Sequence, residues 1–446
     1  MHQDEAAGAS LSRVGYGGKP TVSPPQVLPD VAGPPPAPAD PEPAAMPDLD
    51  TTLGTYDERL PRLKAAHQSL LERPNPVHPD WDNGIYDRFT HPVVIGQHAP
   101  LSWRYDLDRD RNPMLLERLG MNAAFNTGAI QHDGKVLLVL RMEGDDRKSF
   151  FSIAESETGT EAFRFWDEPI VMPETDRPDT NVYDMRLTRH EDGTIYGLFC
   201  TERKDQDDPD LSAAEAQCGI CRTTDFKTWE RLPDLKTPSP QQRNVVLHPE
   251  FIDGKYALYT RPQDGFISAG SGGGIGWGLC DTMDGAVVQD ESTIVDARAY
   301  HTIKEVKNGQ GPPPIKTDEG WLHLAHGVRG TATGLRYVCY LFMTEPDRPW
   351  QLKHAPGGHF IAPWRHENVG DLYSVAFTNG WVDRTPDDPA GEVLMYYATN
   401  DTQTWVARTT KDRLIDYCRH TPADAGRSHA SVQQRLELIR GNAGLG

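Results

Sequence analysis

Long apolar runs are missing from this 446-residue chain, and none reaches the length of a membrane span. The opening Met1-His2-Gln3-Asp4-Glu5 has neither the basic nor the apolar region of a secretory leader, so a cytoplasmic protein is expected. Positive charge is also short: 45 Lys and Arg stand against 65 Asp and Glu, a net charge of −20. That balance excludes the basic footprint of a nucleic-acid or anionic-membrane binder. Cysteine is sparse, with six residues at 200, 218, 221, 280, 339 and 418, as suits a reducing compartment. Cys218-Gly219-Ile220-Cys221 is a lone CxxC. Without a second pair or a βαβ context it reads as two thiols on one strand or its edge, not as a zinc or thioredoxin site. No Gly-rich loop carries the Lys-Ser/Thr of a phosphate cradle; Ser268–Gly274 reads as a loop near a pocket mouth.

What the chain does have is a repeat. His132-Asp133-Gly134-Lys135-Val136, Glu191-Asp192-Gly193-Thr194-Ile195, Ile252-Asp253-Gly254-Lys255-Tyr256, Asp318-Glu319-Gly320-Trp321-Leu322 and Ala390-Gly391-Glu392-Val393-Leu394 each place a turn before a short apolar or aromatic run. Their glycines are 59, 61, 66 and 71 residues apart. One unit repeated five times predicts an all-β, five-bladed β-propeller. Aromatic stretches at Phe163–Trp166, Phe226–Trp229 and Pro349–Leu352 supply tryptophans to fill the wedges between blades.

Around this unit the composition shifts. Residues 1–50 are Pro- and Ala-rich with few large apolar groups, and read as a disordered tail. Residues 51–87 form an N-terminal helical extension, with Leu60, Leu63, Ala66, Leu70 and Leu71 at helical spacing before Pro74. The propeller then occupies 88–410. Residues 411–446 return to helical spacing, with Leu414, Ile415, Leu436 and Leu438. Helices outside a propeller at both ends predict a homo-oligomer.

A propeller brings the inner strands of all its blades to one axis, so residues distant in sequence meet there. Five segments carry polar groups suited to such a pocket. Asn126 precedes Arg141, which ends the apolar run Val136–Leu140. Asp184 stands between Tyr183 and Arg186. Arg243-Asn244 precedes Arg261, again at the end of an apolar strand. Lys316 precedes His326. Asp401 closes Met395–Thr402. Taken singly, a strand-end Arg is a rim residue, an Asp near an Arg is an ion pair and a lone His belongs to the core. Their recurrence in consecutive blades changes the balance. Cations gathered around one carboxylate are costly unless an anion sits among them. The pattern predicts an oxyanion, phosphate above all, facing one acid, Asp184. It does not supply the pair of carboxylates that most glycosidases need.

The segments FNTGAI, LRMEGDDRKSFFSIAES, NVYDMRLT, RNVVLHPEF, YTRPQDGF, PPPIKT with GWLHLAHG, and GEVLMYYATND together resemble glycoside hydrolase family 130 over roughly residues 55–420. The resemblance independently implies a five-bladed propeller. It implies that Asp184 is the sole catalytic acid, protonating the leaving oxygen through the 3-hydroxyl of a mannosyl unit. It implies phosphate binding by Arg243, Arg261, Lys316 and His326. Asn126, Arg141 and Asp401 would hold the mannosyl unit, and Asp145, Arg147 and Lys148 would border the leaving sugar; Tyr183, beside Asp184, is a further substrate-binding candidate.

The expected activity is hexosyl transfer to phosphate: inverting, reversible phosphorolysis of 4-O-β-D-mannosyl-D-glucose to α-D-mannose 1-phosphate and D-glucose. Inorganic phosphate is the co-substrate, and neither metal nor organic cofactor is expected. Three alternatives stay open: a phosphorylase of β-1,4-mannosyl-N-acetylglucosamine or of mannooligosaccharides, an inverting β-mannosidase, and a non-catalytic sugar-binding propeller.

Overall fold

A computed structural model of the chain describes residues 54–445, except 207 and 211; the expected tail over 1–50 lies outside the described residues. Five antiparallel sheets form the blades of a propeller. The first comprises Met121–His132, Lys135–Gly144, Ser149–Ser156 and Arg164–Phe165. The second comprises Asn181–Arg189, Ile195–Lys204, Ala214–Thr223 and Glu230–Leu232, and the third Val246–Leu247, Tyr256–Thr260, Ile275–Cys280 and Thr293–Asp296. The fourth holds Lys307–Gln310 and Ile315–Thr317 on the edge of Gly320–Thr331, followed by Gly334–Thr344 and Leu352–His354. The fifth holds Ala376–Asp383, Glu392–Thr399 and Gln403–Thr410.

Four of the five turn glycines precede the second strand of a blade, and Gly320 is the first residue of its own. At the first, Asp133 and Gly134 have φ of 49° and 80°, the left-handed pair that a tight hairpin requires. Gly391 does not share that conformation. A side chain there would collide with Thr385, so this turn needs glycine for space.

The second strands are apolar without alternation because both of their faces are buried. Leu137 and Val139 pack on Met185, Leu187 and Phe199 of the second blade. Leu138 and Leu140 point the other way, onto Leu394, Tyr396 and Val406 of the fifth. The same arrangement gives a core between every neighbouring pair of blades. Trp229 is buried between the first two blades with Trp166 beside it, and Trp350 packs on Trp277 between the third and fourth.

Ring closure is a feature the repeats did not reveal. The fifth blade takes its outermost strands from near the start of the described chain: Asp87–Arg88 and Val94–Ile95 both pair with Gln403–Thr410. Part of the segment read as an N-terminal extension therefore belongs to the sheet. Before it, helix Tyr56–Leu71 buries Tyr56 and Leu63 against Tyr105 and Leu115. Its first turn is capped by Glu58, which accepts from the Thr55 N–H at 2.8 Å. At the other end, helix Lys411–His420 buries Leu414 and Cys418 against the fourth and fifth blades. Helix Ser428–Asn442 buries none of its side chains, and Leu438 is exposed. Among the described residues no helix is long and apolar enough to cross a membrane. All six cysteines are buried and free.

Candidate functional site

Three blades break their inner edge in the same way. Asn126 (φ 44°), Asp184 (φ 61°) and Asn244 (φ 57°) lie in or just before the inner strands of the first, second and third blades. The strand ladder skips at Phe125–Gly128 and at Tyr183–Arg186, leaving Asn126 and Asp184 in bulges. Bulges re-aim side chains, and Asn and Asp tolerate the left-handed region best among non-glycine residues. Arg186 holds the second bulge in place. Its guanidinium donates to the Asp184 carbonyl at 2.6 Å, to Asn244 Oδ1 at 2.7 Å and to the Gly311 carbonyl at 3.4 Å, spanning three blades.

The side chains aimed by these bulges line one cavity of about 170 Å³, with Arg141, Tyr183, Arg243, Arg261, Lys307, Tyr337, Leu372, Val375, Phe377 and Asp401. One wall is acidic. Asp184 Oδ1 accepts from Asn126 Nδ2 at 2.9 Å and from Arg141 Nη1 at 3.3 Å. Arg141 also donates to Glu143 and Ser149, both at 2.9 Å, and its guanidinium lies 4.4 Å from the Phe125 ring and 4.8 Å from the Tyr183 ring. Asp401 is pushed up to about 7 by burial, Arg141 opposing the shift and Asp184 and Glu143 adding to it.

The facing wall is basic, and among the described residues its cations have no carboxylate partner. Arg243 lies 4.0 Å from the Phe266 ring, with Nε and Nη2 unsatisfied. Arg261 is 3% exposed; it donates to Gln263 at 2.8 Å and leaves Nε unsatisfied. Burial, then the Arg243 charge, lowers Arg261 to about 10. Burial, then Arg261 and Arg243, lowers Lys307 to about 7. His326 is fully buried against Phe377, with both ring nitrogens unsatisfied; burial, then Arg261, pushes it well below the usual imidazole range. Buried cations left with open donors make a site shaped for an anion. A larger groove of about 800 Å³ runs along helix Lys411–His420, but there Arg419 pairs with Glu319 and His420 with Asp416.

The structure thus brings Asn126, Arg141, Tyr183, Asp184, Arg243, Arg261 and Asp401 into one pocket, with His326 behind it. It does not bring Lys316 there. Lys316 sits on the strand Ile315–Thr317, 60% exposed, and is bound to Glu250 at 2.6 Å. Its place is taken by Lys307. Both residues precede His326 on strands that pair with Gly320–Thr331, but only Lys307 is at the axial end, where Gly309 pairs with His326. A spacing signal existed: Lys307 precedes His326 by 19 residues, as Arg243 precedes Arg261 by 18. Tyr337, also missed, had no comparable mark. Asp145, Arg147 and Lys148 occupy the exposed turn beyond the strand of Arg141 and do not line the pocket; Asp145 accepts from the Gly120 N–H.

A five-bladed propeller with a cation-lined pocket facing one bulge-borne carboxylate defines the class, and the chain belongs to glycoside hydrolase family 130. That family's model, described as β-1,4-mannooligosaccharide phosphorylase, matches residues 114–420. The chain is 56% identical to a 4-O-β-D-mannosyl-D-glucose phosphorylase of Bacteroides fragilis, over 88% of this chain and 100% of that protein. It is 27% identical to a β-1,4-mannooligosaccharide phosphorylase of Ruminococcus albus, over 74% of this chain and 92% of that one. Among solved structures, the β-1,2-mannobiose phosphorylase of Listeria innocua in complex with β-1,2-mannobiose shares the fold, with a TM-score of 0.60 at 20% identity, covering 75% of this chain and 99% of that one.

Proposed function

We propose that the protein catalyses reversible, inverting phosphorolysis of 4-O-β-D-mannosyl-D-glucose, giving α-D-mannose 1-phosphate and D-glucose. The observation that carries this reading is the set of buried Arg261 and Lys307 with half-buried Arg243, gathered without a carboxylate partner in the pocket that Asp184 also lines. An enzyme that activates water would need a second carboxylate on that wall. The match to the Bacteroides fragilis enzyme along its whole length supports the choice of sugar.

In this reading Arg243, Arg261 and Lys307 hold phosphate, with Tyr337 beside them and His326 packed behind. A phosphate oxygen attacks the anomeric carbon from the face opposite glucose, and the bond from that carbon to the glucose oxygen breaks. Asp184 gives its proton to the mannosyl 3-hydroxyl, which passes its own to the departing oxygen. Arg141, Asn126, Asp401 and Tyr183 hold the mannosyl unit. The cations need only position an ion that is already a nucleophile. Six buried free thiols suit a cytoplasmic enzyme. The unpacked helix Ser428–Asn442 suits a homo-oligomer, because so short a helix is marginal alone in water.

The test is cleavage of mannosyl-glucose with and without phosphate, with products separated by chromatography. Release of α-D-mannose 1-phosphate only when phosphate is present is expected. Equal cleavage in phosphate-free buffer, yielding free mannose, would overturn the reading.

A further inference from the structure

The fully buried pair Arg88–Glu367 takes no part in the chemistry described above. Arg88 Nη1 donates to Glu367 Oε1 at 2.8 Å and to Oε2 at 2.6 Å, and each side chain is 2% exposed. Tyr397 donates to Glu367 at 3.0 Å, and Arg88 Nη2 donates to the Ala362 carbonyl at 2.8 Å. The Arg88 guanidinium lies 4.3 Å from the Trp81 ring and 5.5 Å from the Tyr397 ring. Such a pair stabilises a fold little, since desolvation offsets most of its attraction, so its use lies in fixing a geometry.

The geometry it fixes leads to the pocket. Glu367 accepts from the Trp364 N–H at 2.8 Å, which shapes the start of the segment Trp364–Val375. The Glu367 carbonyl accepts from Asn400 Nδ2, and Asn400 Oδ1 accepts from the Val375 N–H at 3.1 Å. Asn400 is fully buried, and the next residue is Asp401; both have positive φ, 52° and 57°. Leu372 and Val375, from the segment itself, line the pocket beside Asp401. The chain of contacts therefore runs from the strand that closes the ring, through Glu367 and Asn400, to one side of the sugar site. Among the described residues this chain of contacts meets the phosphate side only through Tyr337, whose N–H donates to the Ser374 carbonyl at 3.1 Å, and not at Arg243 or Arg261 directly.

We propose that Glu367 is a positioning residue, which with Arg88 sets Asp401, Leu372 and Val375 for the sugar and acts far less on the phosphate side, which it meets only through the Tyr337 backbone. The assignment of sides rests on the phosphorolysis reading. The experiment compares the wild type with Glu367→Gln and with the double variant Arg88→Met, Glu367→Leu, which removes both charges together. Calorimetric titration with mannosyl-glucose reads the sugar side with or without turnover, and phosphorolysis gives KM for each substrate. In Glu367→Gln, sugar affinity falls about tenfold or more, the scale of a remote displacement of a binding group, while KM for phosphate stays within about twofold. The double variant recovers the Tm lost in Glu367→Gln and keeps the weak sugar binding. Wild-type sugar affinity in the double variant, or parallel shifts for both substrates, would overturn the proposal. Absence of phosphate-dependent cleavage in the wild type would instead overturn the parent reading. The titration still reports on positioning in that case.

Discussion

Asp184 and Lys307 face each other across one pocket, and each has a distinct test. Asp184→Asn keeps the shape and the contacts to Asn126 and Arg141 while removing the transferable proton. Turnover of mannosyl-glucose should fall by ~2–4 orders of magnitude, the range for general acid catalysis, with sugar binding kept. A mannosyl fluoride, whose leaving group needs no proton, should suffer less. For Lys307 the prediction concerns pH. Its folded pKa of about 7 lies below the ordinary lysine value. It is therefore a cation below that pH and neutral above, and phosphate KM should rise as pH climbs through 7. Bound phosphate, an anion, favours the charged form. Lys307→Arg keeps the charge and should flatten that limb relative to wild type, which separates it from the titration of phosphate itself. Lys316→Ala, by contrast, should leave phosphate KM within about twofold, because an exposed ion pair is worth little. The two lysines show where the sequence stopped being legible. Strand-end charges in apolar runs pointed to Arg141 and Arg261 because the run itself marks a buried strand. Lys307 lies in Val306-Lys307-Asn308-Gly309-Gln310, where no apolar run announces a strand. The resemblance of Pro312–Thr317, not a strand-end position of that kind, pointed to Lys316 for phosphate.

Among the elements, the strands buried on both faces were the most readable, since Val136–Leu140 can only be central. The turns were equally plain, because Asp-Gly has one favoured use. The bulges were not readable. They arise where neighbouring inner strands crowd the axis, and no local residue pattern encodes that crowding. Gly380 marks such a place. It belongs to the fifth inner strand, beside a ladder skip at Phe377–Gly380. A side chain there would come within 2.6 Å of the Ala129 nitrogen and 2.7 Å of the Thr127 carbonyl in the first blade. Both obstacles are backbone, so Gly380→Ala should destabilise the fold by ~1–3 kcal/mol, the cost of overpacking, read by urea denaturation. The C-terminal spacing predicted helical structure over 411–446, where helices Lys411–His420 and Ser428–Asn442 are found, but periodicity says nothing of what a helix packs on.

At the scale of the whole molecule, the ring is held shut by strands from opposite ends of the described chain. A chain beginning at residue 97 lacks Asp87–Arg88 and Val94–Ile95. It also leaves Glu367 buried without Arg88, and that alone costs ~3–5 kcal/mol. A domain with ~5–15 kcal/mol in hand does not tolerate both losses. Such a chain should show no cooperative thermal transition by calorimetry.

The same closure orders events in time. Arg408 binds Asp87 at 2.7 Å across 321 residues of sequence. On a ribosome adding ~5–20 residues each second, Asp87 and Arg88 leave the tunnel roughly a quarter of a minute to a minute before their partner strand exists. Through that interval Trp81 and Tyr86 have no fifth blade to rest on, and by its end the first four blades stand as an open arc with a bare sheet at each end. A nascent chain is thus most exposed to misassociation just before its last blade emerges. Slowing synthesis within the codons for residues 376–410 should lengthen that exposure more than slowing it after residue 420.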